Sequence, residues 1–223
     1  MIPLRDHYPS GSFPLITRCL IAVNIVVFLY LFSLSEQHLD TFINSYALIP
    51  AVILSGNNLK SLITSMFLHS SFGHLFGNML FLNIFGDNLE HRLGHLRFLI
   101  FYFISGLGAA LAQIVISPSS LVPILGASGA IAGVMGGYLF FFPNHPIDIL
   151  FSFGWVVRDA TVPAWSMLFY WFFFQLISGL GSLALPQEGG IAYFAHLGGF
   201  LTGFLFAFVF KKRTTHHQRF SLI

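Results

Sequence analysis

The sequence predicts an all-α fold, a polytopic membrane protein built as a bundle of six transmembrane helices. Three observations carry that reading. Of 223 residues, 56% are hydrophobic and only 8% are charged, where a soluble domain is about 25% charged. Six stretches are apolar over lengths approaching the roughly 20 residues needed to cross a bilayer. With the N-terminus placed inside, nine of the ten basic residues fall on one side. They are Arg5, Arg18, Arg92, Arg97, Arg158, Lys211, Lys212, Arg213 and Arg219, against Lys60 alone outside. Cytoplasmic loops carry that excess.

The same composition excludes several classes of protein. Ten basic and eight acidic side chains cannot cover a soluble protein of 24.8 kDa. A disordered chain would be far less apolar, and a nucleic-acid binder would need a basic face. Cys19 is the sole cysteine, which rules out an internal disulfide and a Cys-based metal site. No metal and no cofactor are expected.

The elements follow in chain order. Residues 1–14 read as a short cytoplasmic N-terminus. The first span, 15–34, exceeds the 7–15 residues of a signal-peptide core, so it is expected to stay in the membrane. The stretch 46–54 is too short to span and fits an interfacial or re-entrant segment in an outer loop. The second span, 74–89, is dotted with His74, Asn78, Asn83 and Asp87. The third covers 96–117, and the fourth, 126–142, is rich in small residues. The stretch 147–157 again reads as interfacial or re-entrant. The fifth and sixth spans are 162–183 and 193–210. The membrane core is therefore 15–210, and 211–223 is a basic cytoplasmic tail.

Polar groups inside hydrocarbon are costly and mark a site or a structural hydrogen bond. Spans two, four and six run in the same direction, from outside to inside. His69, His74, Asn78, Ser128 and His196 all fall near their outer ends and so share one depth. Gly129, Gly133 and Gly137 recur every four residues on span four, as do Ala195, Gly199 and Gly203 on span six. Such small-residue faces let helix backbones approach closely in lipid. Ser128 and His196 flank these faces and can meet as nucleophile and base. His74 and Asn78, four apart, project from one helix face. With the Ser128 backbone N–H at a helix start, they can form an oxyanion hole. No carboxylate is placed to complete a triad: Asp87 and Glu90 lie at the far end of span two. A Ser–His dyad is the expectation, with packing orienting the imidazole.

Each feature also has a simpler reading. A serine in a glycine-rich span is more often a packing residue. A single intramembrane histidine serves as a structural donor or proton relay about as often as a base. His91 and His95 have the spacing of helical metal ligands, but Gly94 between them favours a loop. Co-occurrence at one depth tips the balance toward a chemical site.

The motifs together resemble the rhomboid intramembrane serine proteases. The resemblance rests on His69-Ser-Ser-Phe-Gly-His74-Leu-Phe-Gly-Asn78 and Gly86-Asp-Asn-Leu-Glu90-His-Arg92-Leu-Gly94. It continues in Gly126-Ala-Ser128-Gly129 with Gly133 and Gly137, then Ala195-His196-Leu-Gly-Gly199-Phe-Leu-Thr-Gly203. It implies Ser128 as nucleophile, His196 as general base, and His74, Asn78 and the Ser128 N–H as oxyanion donors. It implies structural roles for Glu90 and Arg92, tying the inner end of span two to its loop. It also implies a first outer loop lying partly in the membrane, and a fifth span that, with the cap after Leu183, gates the site. Two positions depart from the family pattern. Leu59-Lys60 stands where many rhomboids have Trp-Arg, and Ala132 stands where some stack an aromatic ring on the histidine.

The expected activity is serine endopeptidase cleavage of transmembrane protein substrates near the extracytoplasmic face. A bacterial or archaeal plasma membrane is the expected location. The partners would be those substrates and the lipid bilayer, with no nucleic acid. The alternatives are a catalytically inactive rhomboid-like chaperone or adaptor, and a small transporter using the same polar groups as a relay. The absence of an acidic residue deep in a span argues against the relay.

Overall fold

A computed structural model of the chain describes residues 1–153, 156–183 and 191–214. Nine α-helices occur among these residues. The longer ones are α1 (Leu15–Phe32), α5 (Phe72–Leu93), α6 (His95–Ile116), α7 (Ser128–Phe141), α8 (Ala164–Ser182) and α9 (Tyr193–Thr214). Shorter helices α2 (Glu36–Tyr46), α3 (Pro50–Leu54) and α4 (Ser61–Thr64) fill the connection between α1 and α5.

Four helices, α1, α6, α8 and α9, are long and apolar enough to cross a membrane, with mean hydropathies from 1.2 to 2.3. Only 22–39% of each apolar window is buried, so most of their surface is left for lipid. The other two expected spans differ. Helix α5 has 22 residues but carries the polar run Asp87, Asn88, Glu90, His91 and Arg92 near its end. Helix α7 has 14 residues, about 21 Å at 1.5 Å per residue. That is short of a roughly 30 Å hydrocarbon core. Every residue from Gly129 to Tyr138 is buried, so α7 is the central post of the bundle and its ends can lie inside protein.

Glycines allow that central position. A Cβ on Gly199 would lie 2.0 Å from the Gly129 carbonyl oxygen, and one on Gly203 2.0 Å from that of Gly133. The expected close approach of α7 and α9 is present. Gly137, however, turns to Phe101 of α6, and Gly136 instead meets α9 at the Phe200 carbonyl.

The all-α expectation needs correction. Strands β1 (Ile2–Asp6), β2 (Pro146–Phe153) and β3 (Val156–Pro163) form an antiparallel sheet in the order β1-β2-β3. Ile2 pairs with Leu150 and Asp6 with Ile147, while Pro146 pairs with Pro163. The described residues of the stretch 147–157 thus lie on paired antiparallel strands between α7 and α8, where the sequence alone offers an apolar segment without assigned secondary structure. Their β-branched residues Ile147, Ile149, Val157, Thr161 and Val162 suit a pleated ladder. The N-terminal segment is also tied to α5 and α7. The Asp6 carboxylate accepts hydrogen bonds from the Tyr138 hydroxyl and, at 2.6 Å, from Asn88 Nδ2. The Ser10 hydroxyl donates to Asp87 at 2.5 Å.

Asp148 on β2 holds the sheet together laterally. It accepts from Thr161 Oγ1 and Arg5 Nε at 2.6 Å each and meets His7 Nε2 at 2.6 Å. The bonds from Thr161, His7 and Arg5 hold its carboxyl below the usual carboxylate range. Near the same end, the Glu90 carboxylate is 1% exposed. It accepts from the Ile16 and Thr17 backbone N–H groups at 2.8 Å and from the Thr17 hydroxyl at 2.7 Å. Glu90 therefore caps the first turn of α1 from another helix, supplying partners that helix starts lack. It also meets His95 Nδ1 at 2.5 Å across the Gly94 turn. Arg92 goes elsewhere, its guanidinium lying 5.3 Å from the Phe141 ring centroid on α7.

Candidate active site

The site forms at the opposite end of the bundle, where α7 begins. The segment before it is pinned from two directions. Leu48 and Ile124 exchange backbone hydrogen bonds at 2.7 and 2.9 Å, and the Gly126 N–H donates to the Ser65 carbonyl at 2.9 Å. Gly126 has φ +127, a conformation side chains rarely adopt. A Cβ there would sit 2.9 Å from two atoms of the His74 ring and 3.6 Å from Ser128 Oγ. The glycine thus opens the space that His74 and Ser128 share.

Ser128 is the first residue of α7, so its N–H has no partner within the helix. Its Oγ lies 2.8 Å from His196 Nε2 on α9. The Gly199 and Gly203 contacts, one and two turns further along α9, set that spacing. Both residues line a cavity of about 1070 Å³ that His74 and Asn78 also line. His74 Nδ1 meets Ser70 Oγ at 3.2 Å. Asn78 Nδ2 donates to the His74 carbonyl at 2.8 Å, and its amide group has a second N–H.

The Rhomboid domain family model matches residues 56–213. The chain belongs to the rhomboid family. It is similar to RHOMBOID-like protein 6, mitochondrial, of Arabidopsis thaliana: 32% identical over 157 residues, covering 70% of this chain and 45% of that protein. It is 35% identical over 161 residues to Rhomboid protein 1, mitochondrial, of Saccharomyces cerevisiae, covering 68% and 42%. Its similarity to YdcA of Bacillus subtilis, whose name contains the words rhomboid protease, is 34% over 148 residues, covering 66% and 65%. The chain spans less than half the length of the first two. Family and apolar helices together make it an integral membrane protein.

The structure brings Ser128, His196, His74 and Asn78 to one cavity. His69 is placed differently: it is buried behind His74, ring centroids 5.0 Å apart. Burial and the neighbouring His74 push its pKa down to about 4, so it is a neutral imidazole at pH 7. Glu90, Arg92 and Gly203 lie away from the cavity lining, whereas Gly129 is part of it. Gly133 packs on Ser105 of α6, and Gly199 on Gly129.

Two departures from the rhomboid pattern have local answers. Lys60, at the Leu59-Lys60 position, places its ammonium 4.2 Å from the Tyr46 ring centroid. Thr64 Oγ1 donates to the Tyr46 carbonyl at 2.8 Å, so α2 and α4 are tied directly. Ala132 is fully buried and offers no ring to His196. Helix α8 does: the Trp171 ring lies 6.0 Å away at 32°. Gln175 Oε1, one turn on, lies 2.7 Å from His196 Nδ1. The sequence reading missed both residues. The available signal was a lone amide in the middle of a span rich in phenylalanine. The expected cap after Leu183 and the tail beyond Thr214 lie outside the described residues.

Proposed function

We propose that the protein is an intramembrane serine endopeptidase that cleaves transmembrane segments with a Ser128–His196 dyad. The observation that carries this reading is the 2.8 Å approach of Ser128 Oγ to His196 Nε2 at the wall of the shared cavity. Ser128 Oγ attacks the scissile carbonyl and its proton passes to His196 Nε2. The developing oxyanion is met by the Ser128 N–H, His74 Nε2 and the second N–H of Asn78. The imidazolium then protonates the leaving amine, and water resolves the acyl-enzyme by the reverse sequence.

A substrate helix hides its carbonyls in its own hydrogen bonds and is satisfied in lipid. It must therefore unwind before attack, which favours small or helix-breaking residues near the cleavage point. Helix α8 is the movable wall through which such a segment enters. Placing both termini on the cytoplasmic side accords with nine of the ten basic residues falling there. The dyad then works near the extracytoplasmic face of a bacterial or archaeal plasma membrane.

The test is cleavage of a reporter transmembrane segment by the purified protein in detergent. Ser128→Ala and His196→Ala are each expected to abolish it, and undiminished cleavage in either variant would sink the assignment. A fluorophosphonate is expected to label Ser128 specifically. A non-catalytic adaptor with the same fold would not react.

A further inference from the structure

His196 is held from a helix that carries neither member of the proposed dyad. Gln175 interrupts a run of aromatic and aliphatic residues on α8. Gln175 is half-buried, and its Oε1 lies 2.7 Å from His196 Nδ1. Trp171, four residues earlier and so on the same helix face, lies beside the same ring. From the α7 side, Ala132 supplies nothing beyond a methyl group.

An acceptor at Nδ1 requires a proton there. The neutral imidazole then carries its lone pair on Nε2, which faces Ser128 Oγ at 2.8 Å. The opposite tautomer would present Nε2–H to the serine and could not take its proton. We infer that Gln175 is the positioning residue of the dyad, fixing from α8 the tautomer in which His196 Nε2 is the base. This inference rests on the protease reading above. An amide oxygen also steadies the imidazolium formed during attack, without adding a charge to the bundle. Among the described residues, the other titratable side chains lining the cavity are His74 and Tyr193, and none that lines it is a carboxylate. Gln175 therefore supplies the acceptor that a triad carboxylate would otherwise provide.

The tie also depends on where α8 sits. Ser128 is on α7, His196 on α9 and Gln175 on α8. Moving α8 away by about 1 Å takes the 2.7 Å contact past hydrogen-bond range. The base is thus held in its working tautomer only while α8 is docked against α9.

The test combines spectroscopy with kinetics on the full chain in detergent micelles. In protein labelled with ¹⁵N-histidine, neutral His196 is expected to carry its proton on Nδ1. Gln175→Leu is expected to release that preference. Its kcat on the reporter segment should fall on the order of tenfold, with KM within about twofold, as for loss of a general-base contribution. Gln175→Glu is expected to retain Nδ1–H and restore kcat at high pH. Its acidic limb should move up by about one pH unit, because the carboxylate favours imidazolium.

A wild-type His196 protonated on Nε2 overturns the inference. So does a Gln175→Leu protein with unchanged tautomer, kcat and acidic limb. A protein that does not cleave, yet switches tautomer on Gln175→Leu, refutes the protease reading and leaves the Gln175 tie standing. Ser128-dependent cleavage with an unchanged tautomer in Gln175→Leu refutes the tie alone. The wild-type tautomer and the Gln175→Glu kinetics decide the matter if the leucine variant does not fold.

Discussion

Single side chains at the two ends of the bundle make different demands on their surroundings. In the proposed reaction, His74 and Asn78 meet charge that appears only as the acyl carbonyl is attacked. Substituting either with Ala is expected to lower kcat on the reporter segment about 100-fold with little change in KM, the usual cost of one oxyanion donor. Steady-state kinetics in detergent checks this, and an unaltered kcat would remove that residue from the oxyanion site. Glu90 serves the resting fold. Its carboxylate accepts three hydrogen bonds at the start of α1 and meets His95. Glu90→Ala leaves those donors buried and unpaired and is expected to cost about 3 kcal/mol. Denaturant unfolding in detergent measures that loss. Cleavage per folded molecule should remain, because Glu90 is far from the cavity.

At the scale of elements, packing of α7 on α9 brings Ser128 to His196, and in the proposed protease the packing of α8 on α9 sets access. A Cβ on Gly199 would fall 2.0 Å from a backbone oxygen of α7, and a backbone cannot rotate aside as a side chain does. Gly199→Ala is expected to cost about 3 kcal/mol through overpacking. It should also push His196 away from Ser128, seen as a loss of fluorophosphonate labelling greater than the loss of folded protein. On the other side of α9, a Cβ at Gly179 would lie 3.2 Å from Tyr193 Cβ, close to the Cβ spacing of a disulfide. Gly179→Cys with Tyr193→Cys, in a Cys19→Ser background, is expected to lock α8 on oxidation. Cleavage of the transmembrane reporter should stop and return with reductant, while labelling by a small fluorophosphonate persists. Full cleavage in the oxidised form would mean that α8 need not move.

Across the whole molecule, a chemically prepared end is opposed by a structurally braced one. The braced end ties the N-terminal strand to the hairpin that leads directly into α8. Asp148 joins its strands, and its carboxyl is held below an unfolded value of about 3.9. Its contribution is complete above that pH and is lost as pH falls through the lower folded value. Amide protection factors in β1 should therefore hold from pH 7 to about pH 5 and drop below about pH 4. Asp148→Asn should lower them already at pH 7 and remove its share of the acid step. Hydrogen exchange read by mass spectrometry checks both, and a β1 equally protected in the variant would show that backbone pairing alone holds the sheet.

The sequence by itself determined the membrane setting, the long helices and the residues of the candidate dyad. Those signals are local: apolar length, glycine every fourth residue, and the spacing of His74 from Asn78. Hydrocarbon leaves few other ways to satisfy a backbone. Tertiary structure alone decided three further matters. It paired residues 2–6 with 147–150, since strand pairing across that separation leaves little trace in either strand. It turned Gly136, not Gly137, toward α9, because crossing geometry chooses between adjacent faces of a glycine-rich helix. It also put Gln175 against His196. A glutamine on one helix has no sequence relation to a histidine on another, and only the packing of α8 against α9 gives the imidazole its acceptor.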